Sequence, residues 1–257
     1  MRKIICIGAG RLAHHLMPEL ERAGCEVVQV YNRTEAAALL LAKRLGAASF
    51  TSDVRKIHED ADAYFFTLAD DAIPLIAEQV GFLENNHSLF LHCSGVLPLT
   101  VLPFNRKGSF YPLQTFSAHH DIPWKTTPIL ITAENASIRK TISELAHRVS
   151  SSVYEVTDEN KSDLHLGAVF ANNFTNHMLA LAEKICIAHH VPFDILKPLI
   201  RETFEKALDA GTSKSQTGPA IRGDQKTIAK HMKMLAGNPG MQELYRIITL
   251  SIQETSV

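Results

Sequence analysis

The stretch MRKIICIGAGRLAHHLMPEL, Met1–Leu20, decides the fold. A run of strand-forming residues, Lys3–Ile7, stops at Gly8-Ala9-Gly10, and Arg11–Ala23 then reads as a helix broken at Gly24. The segment Gly8-Ala9-Gly10-Arg11-Leu12-Ala13 fits the G-x-G-x-x-G/A pattern that follows the first strand of a dinucleotide-binding βαβ unit. In that pattern Gly8 permits the tight turn, Gly10 lets a diphosphate approach the backbone, and Ala13 keeps the helix close to the sheet. The diphosphate then sits on free N–H groups at the start of the helix. The same glycines also suit a plain bend, so the remainder of the chain has to discriminate.

Strand and helix signals alternate onward from that turn. Glu26–Tyr31 is valine-rich and reads as a strand, and Thr34–Leu45 as a helix closed by Gly46. Strands are expected at Ala48–Phe50, Asp62–Thr67, Ser88–His92, Pro128–Thr132 and Val153–Val156. Helices are expected at Val54–Glu59, Ile73–Val80 and Ala136–Val149, with a loop over Pro112–Trp124. Such alternation predicts an α/β, Rossmann-type doubly wound parallel sheet covered on both faces, with right-handed crossovers. After Thr157 the strand signal ends. Asp158 to about His190 reads as one long, largely buried helix, followed by helices at Pro192–Leu208, Gln225–Leu235 and Met241–Gln253. Two domains are expected: residues 1–157, a dinucleotide-binding Rossmann domain, and residues 158–257, an all-α substrate and dimerisation domain.

The bulk numbers narrow the class. The chain has 257 residues, 46% of them hydrophobic, and a formal charge of −1, so no basic excess marks a nucleic-acid or anionic-membrane surface. No apolar stretch reaches the ~18 residues a membrane helix needs, and the apolar run before Gly8 is too short for a signal sequence. Cys6, Cys25, Cys93 and Cys186 lie far apart without a C-x-x-C pair, which fits a reducing compartment and no zinc knuckle. A cytoplasmic protein is expected. The doubled histidines His14-His15, His119-His120 and His189-His190 form no ligand-spaced cluster, so no metal is assigned.

Asn32-Arg33-Thr34 follows the second strand, where NAD-binding proteins usually place an acidic residue for the ribose 2′-hydroxyl. Arginine there suits a 2′-phosphate, because its planar fork grips phosphate bidentately, and Thr34 adds a donor. The expected cofactor is therefore NADP rather than NAD. The plain alternative is a solvated arginine at a strand end.

Ligands of such sheets lie beyond the carboxyl ends of the strands. Two further strand ends carry polar residues, Thr67-Leu68-Ala69-Asp70-Asp71 and His92-Cys93-Ser94-Gly95. Leu68, Ala69 and Asp70 are assigned to the cofactor rim. Ser94 and Gly95 are assigned to the nicotinamide side, with Ser94 also a candidate catalytic residue. Asp71 equally suits a helix N-cap, His92 a hydrogen-bonded structural role, and Cys93 a small apolar filler. Gln114 and Thr115 in Tyr111–Phe116 are candidate substrate ligands.

In Leu164–Glu183 the residues His165, Asn172 and Asn176 fall on one stripe of a uniform α-helix, with Asn173 beside it. These polar groups either satisfy one another or line a cleft. His165 is the candidate proton donor, Asn172 or Asn173 the group that orients the acceptor, and Asn176 a substrate contact. In the loop Thr217–Asp224, Arg222 is a candidate anion contact and Asp224 an N-cap. The helix is long enough for pairing between subunits, which predicts a homodimer.

The motifs GAGRLA, NRT, ADDAI, HCSG, YPLQTF and TGPAIRGD occur here in this order. With them the chain resembles bacterial proteins labelled NADP oxidoreductases, with a Rossmann-like N-terminal domain and a C-terminal helical domain of unknown function. The resemblance spans nearly the whole chain. It is similar in plan to pyrroline carboxylate reductase, the β-hydroxyacid dehydrogenases and the deazaflavin-dependent NADP reductases. It implies pairing through the helical domains, and an active site between the domains that takes a small-molecule substrate. One departure stands out. The β-hydroxyacid dehydrogenases carry a catalytic lysine in a Lys-x-x-Asn-Asn pattern, and here the stretch is Val169-Phe170-Ala171-Asn172-Asn173. Hydride transfer to an unidentified small substrate is the expected function. The alternatives are a non-catalytic NADP-binding sensor and a flavin- or deazaflavin-linked NADP reductase.

Overall fold

The computed structural model describes residues 1–117 and 121–254. The pair His119-His120 lies outside the described residues. Two compact units are present, Met1–Ala171 and Asn172–Val257.

The first unit begins β1 (Lys3–Ile7), α1 (Arg11–Arg22), β2 (Glu26–Tyr31), α2 (Glu35–Leu45), β3 (Ser49–Thr51) and β4 (Ala63–Phe66). It continues α3 (Ala72–Gln79), β5 (Leu89–His92), β6 (Lys107–Pro112), β7 (Ile129–Ala133), α4 (Ala136–Val149), β8 (Val153–Glu155) and α5 (Asp158–Ala168). The eight strands form one sheet in the order β3-β2-β1-β4-β5-β6-β7-β8. The chain runs outward from β1 to β3 and then crosses back to β4, so the order reverses between β1 and β4. In open α/β sheets that reversal opens the ligand crevice.

Period-two alternation separates the two faces of the sheet. Ile4, Cys6, Ala63, Phe65 and Leu91 join one core with Leu16 and Leu20 of α1, Leu41 of α2 and Ile142 of α4. Ile5, Ile7, Tyr64, Phe66 and Phe90 join the opposite core with Ile73 and Ala77 of α3. The second core is aromatic. Phe90 stacks between Tyr64, at 4.9 Å, and Phe104, at 3.7 Å. Every residue of β4 and β5 is buried, as expected for central strands covered on both faces.

Two expectations need correction in this unit. The sheet is mostly parallel, but β6 and β7 pair antiparallel, with Pro112 opposite Ile129. Among the described residues between Pro112 and Ile129 there is no helix to carry a parallel crossover. The segment Val54–Glu59 forms only a short 3-10 turn, Val54–Lys56. Asp53 caps it through Arg55 N–H, and Ile57 is already extended.

The sequence boundary after residue 157 and the division at Ala171 are different features. Strands end before α5, yet α5 belongs to the first unit. Its Lys161 is fully buried there, donating to Leu97 O at 2.7 Å and to Asp158 Oδ1 at 3.0 Å.

A π turn, Val169–Phe174, follows α5. The second unit then carries α6 (Thr175–Ala188), α7 (Lys197–Ala210), the single turn α8 (Thr212–Ser215), α9 (Gln225–Met234) and α10 (Pro239–Glu254). The helix expected from Asp158 to about His190 runs without a gap from Asp158 to Ala188 with the π turn inside it, but most of it is exposed rather than buried. Leu166, Phe170 and Ile187 are all exposed. Apolar composition marks surface that is destined to be covered, without saying by what. Within the second unit, Leu181, Ile185, Pro219, Leu244 and Ile248 line an apolar cavity of about 310 Å³. His231 Nδ1 and Tyr245 Oη are 2.9 Å apart there.

Candidate functional site

The turn after β1 is held from three sides. Gly8 has φ +113°, a region that L side chains rarely adopt. A Cβ there would meet Leu68 Cδ2 and the Thr67 carbonyl carbon, both at 2.9 Å. Gly8 N–H donates to Tyr31 O at 2.8 Å, and Gly8 O accepts from Thr67 Oγ1 at 2.8 Å and from Cys6 Sγ at 3.1 Å. Ala9 N–H donates to Asn32 Oδ1 at 3.1 Å, while Asn32 Nδ2 donates to Thr34 O at 3.2 Å. Asn32 therefore serves the frame of the turn, with both ends of its amide engaged.

Gly10 is different. Its φ is −82°, which any residue adopts, and a Cβ would meet only Thr67 O, at 3.7 Å. The fold itself tolerates a side chain there. Gly10 is the N-cap of α1, and no side chain caps that helix. The first-turn amides of Arg11, Leu12 and Ala13 are where α1 presents its positive end. Ala13 is buried against the sheet and Arg11 is exposed. Arg33 and Thr34 are exposed at the end of β2, and Thr34 makes no side-chain capping bond to α2. These residues fit the adenosine half of a dinucleotide: an open glycine, an uncapped helix start and a free guanidinium follow one another along the crevice edge.

Leu68 is half-buried, and Ala69 and Asp70 are exposed on the turn after β4. Asp71 precedes α3 without a capping bond from its side chain. After β5, Ser94 is buried and its Oγ accepts from Val96 N–H and Leu97 N–H at 3.2 and 3.1 Å. It secures the turn, and its acceptor side is occupied by that work. His92 is fully buried, with Nδ1 accepting from Ser94 N–H at 3.3 Å and Nε2 without a partner among the described residues. Burial, aided by the Lys161 charge, pushes its pKa down to about 3, so it stays neutral. Cys93 is buried, and its thiol is held above the ordinary range. Burial lowers the Lys161 pKa against the opposing pull of Asp158.

His165 lies on α5, half-buried, with Nδ1 at 2.9 Å from Tyr111 Oη. Both groups pack on Gly95, where a Cβ would stand 2.6 Å from His165 Nδ1 and 2.7 Å from Tyr111 Cζ. The structure thus brings Ser94, Gly95, Tyr111 and His165 together at the carboxyl ends of β5 and β6. Sequence reasoning passed over Tyr111 and Lys161. The first needs a contact across 54 residues. The second was signalled locally, by Asp158 and Lys161 one turn apart.

The other candidates distribute differently. Gln114 and Thr115 are exposed, and Gln114 Oε1 accepts from Thr115 N–H at 2.9 Å, so they satisfy each other locally. Asn172, Asn173 and Asn176 belong to the second unit and are exposed rather than buried. Asn172 and Asn173 lie in the π turn, where the 3.6-residue spacing behind the predicted stripe no longer holds. Arg222 is exposed, and Asp224 caps α9 by accepting from Thr227 N–H at 3.1 Å. Among the described residues no group of three or more His, Cys, Asp and Glu is arranged to hold a metal ion. Among the described residues no helix is long and apolar enough to cross a membrane.

Residues 1–88 match the shikimate/quinate 5-dehydrogenase family, and residues 127–252 match the domain of unknown function DUF2520. No curated protein matches the chain. Among solved structures, a protein from Bacteroides fragilis described as "putative NADP oxidoreductase" is 38% identical, with a TM-score of 0.91 over 98% of both chains. A Thermotoga maritima protein shares the fold at 19% identity and TM-score 0.72, again over 98% of both chains. A pyrroline-5-carboxylate reductase from Coxiella burnetii shares it at 13% identity and TM-score 0.58, over 98% of this chain and 96% of that one. With a glycine-turn Rossmann sheet, a DUF2520 match from the last strands through the helices and an end-to-end match at this identity, the chain belongs to the family of that Bacteroides fragilis protein.

Proposed function

We propose that this chain is an oxidoreductase of nicotinamide dinucleotides that prefers NADP(H) and acts on a small carbonyl, imine or hydroxy substrate. The observation that carries this reading is the edge formed by Gly10, the uncapped start of α1 and Arg33. Gly10 is a glycine that the fold does not require, and it sits where a diphosphate would need bare backbone. Arg33 and Thr34 would take the 2′-phosphate, and Gly95 and Ser94 the nicotinamide side. Leu68, Ala69 and Asp70 would form the intervening wall.

The nicotinamide, when bound, supplies or accepts the hydride. The protein's share is proton management and positioning. His165 is the imidazole at that rim, the side-chain type suited to proton transfer, with Nδ1 facing Tyr111 Oη. The exposed carboxamides of Asn172, Asn173 and Asn176, with Arg222, are assigned to substrate recognition on the helical unit. We also assign that unit to a homodimer, which the number of exposed apolar side chains on its helices supports. The second reading, a non-catalytic NADP sensor, is favoured by one residue: Val169 stands where the hydroxyacid dehydrogenases carry lysine.

Fluorescence titration with NADPH and NADH tests the cofactor reading. The native protein is expected to favour NADPH. Arg33→Asp should weaken NADPH binding by about 2 kcal/mol, roughly thirtyfold, and abolish the preference, from the usual worth of hydrogen bonds to charged groups. An unchanged preference in that variant would remove Arg33 from the 2′-phosphate site. Consumption of NADPH in a metabolite mixture separates enzyme from sensor.

A further inference from the structure

We propose that Tyr111 is a positioning residue for His165, fixing the imidazole in the tautomer that carries its proton on Nε2, with Gly95 as the gap that lets the two side chains meet. The proposal rests on the oxidoreductase reading for its purpose, and on geometry for its content.

The geometry starts at the carboxyl end of β5. A side chain at position 95 is excluded by both partners at once: its Cβ would lie 2.6 Å from His165 Nδ1, 2.7 Å from Tyr111 Cζ and 2.9 Å from Tyr111 Oη. The phenol from the end of β6 and the imidazole from α5 thus close over bare backbone. Their polar atoms meet at 2.9 Å, with the rings tilted at 57°.

The direction of that hydrogen bond decides the chemistry. Burial, aided by the charge of Asp70, raises the Tyr111 hydroxyl to about 12, so it keeps its proton. The 2.9 Å contact fits either direction, and the proposal takes the protonated phenol as the donor to Nδ1. A neutral imidazole that accepts at Nδ1 must carry its hydrogen at Nε2. A hydroxyl is also able to reverse its role. When His165 becomes protonated, Nδ1–H donates to Tyr111 Oη and the contact survives. The ring is held in both states, whereas a carboxylate at this position would favour the charged imidazolium. A bound reduced nicotinamide would supply the hydride in the reducing direction. His165, when charged, would pass the Nε2 proton to the substrate oxygen or nitrogen, the N–H electron pair staying on a ring that returns to neutral with its remaining hydrogen on Nδ1 toward Tyr111 Oη. Solvent protonates Nε2 again.

The test reads the tautomer directly. Nitrogen-15 spectra of the full-length protein, with His165 assigned through His165→Gln, should show Nδ1 as an unprotonated acceptor and Nε2 protonated near neutral pH. Tyr111→Phe keeps the ring and removes only the hydroxyl, and it should lose that single-tautomer signature. Gly95→Ala, which drives the pair apart, should do the same while circular dichroism reports a folded chain. A native protein with the proton on Nδ1, or a Tyr111→Phe spectrum identical to native, overturns the proposal. NADPH titration of the native protein is the separate check. Absence of binding there would overturn the oxidoreductase reading while the tautomer result still judges the Tyr111–His165 pair.

Discussion

In the unit Met1–Ala171 the rings of Tyr64, Phe65, Phe66 and Phe90 are completely buried, whereas in Asn172–Val257 Ile187 is 66% exposed, Met234 64% and Leu208 84%. Both units carry large apolar side chains, with opposite outcomes. A sheet with helices on both faces closes its own core, and each strand residue finds a neighbour in the same unit. Few side chains of the second unit are buried, Cys186, Ala220 and Thr249 among them. The sheet unit is closed by its own side chains, while the helices of the second unit leave large apolar side chains exposed.

The largest expected effect tests that contrast at its centre. Phe90→Ala removes a ring stacked on two others and should cost about 4 kcal/mol, the usual range for emptying a core aromatic site. Chemical denaturation followed at two wavelengths would measure it. A loss under 1 kcal/mol would mean that the sheet is not where stability resides.

A smaller effect sharpens the comparison through pH. His92 has a folded pKa of about 3, against an ordinary value of 6.5. The unfolded chain therefore binds the proton first, and stability falls as pH drops from about 6.5 toward about 3. Between pH 6.5 and pH 5 the loss from this one residue should be about 1.6 kcal/mol, the slope rising toward 1.36 kcal/mol per unit as the unfolded histidine fills. His92→Gln should flatten that part of the stability profile. A native profile with no slope there would show that His92 finds a partner for its proton.

The smallest effect belongs to the other half. Leu208→Ala should change the stability of a dilute, monomeric sample by no more than about 0.5 kcal/mol, as for surface positions generally. If the helices pair between subunits, the same variant should shift the concentration dependence of sedimentation. A large loss in the monomer would break the comparison outright.

Much of the sheet was legible because its signals are local. Lys3–Ile7, Glu26–Tyr31 and Ser88–His92 announce themselves by β-branched or aliphatic runs ending in glycine, asparagine or a polar turn. Gly8 was legible for the same reason, and its positive φ bears out the tight turn. The antiparallel pairing of β6 with β7 was not, because it depends on where a loop returns. The Tyr111–His165 contact joins residues distant in sequence and depends on the missing Cβ of Gly95. Burial of the helix after Thr157 was overestimated, because leucine and phenylalanine report how a surface prefers to end, not whether its own chain covers it. The π turn at Val169–Phe174 has no composition signal at all, and it displaced the asparagine stripe read at uniform spacing.

The side chain of Asn32 grips the loop after β1 with its oxygen and the start of the next loop with its nitrogen. It works as a fixed ruler between the turn after β1 and the residues that follow β2. On the proposed NADP reading, that length would set the distance from the bridging phosphates to the third one. Arg33 would then meet its phosphate on a frame already held, and its contact would spend little of its strength on bringing its own support into order.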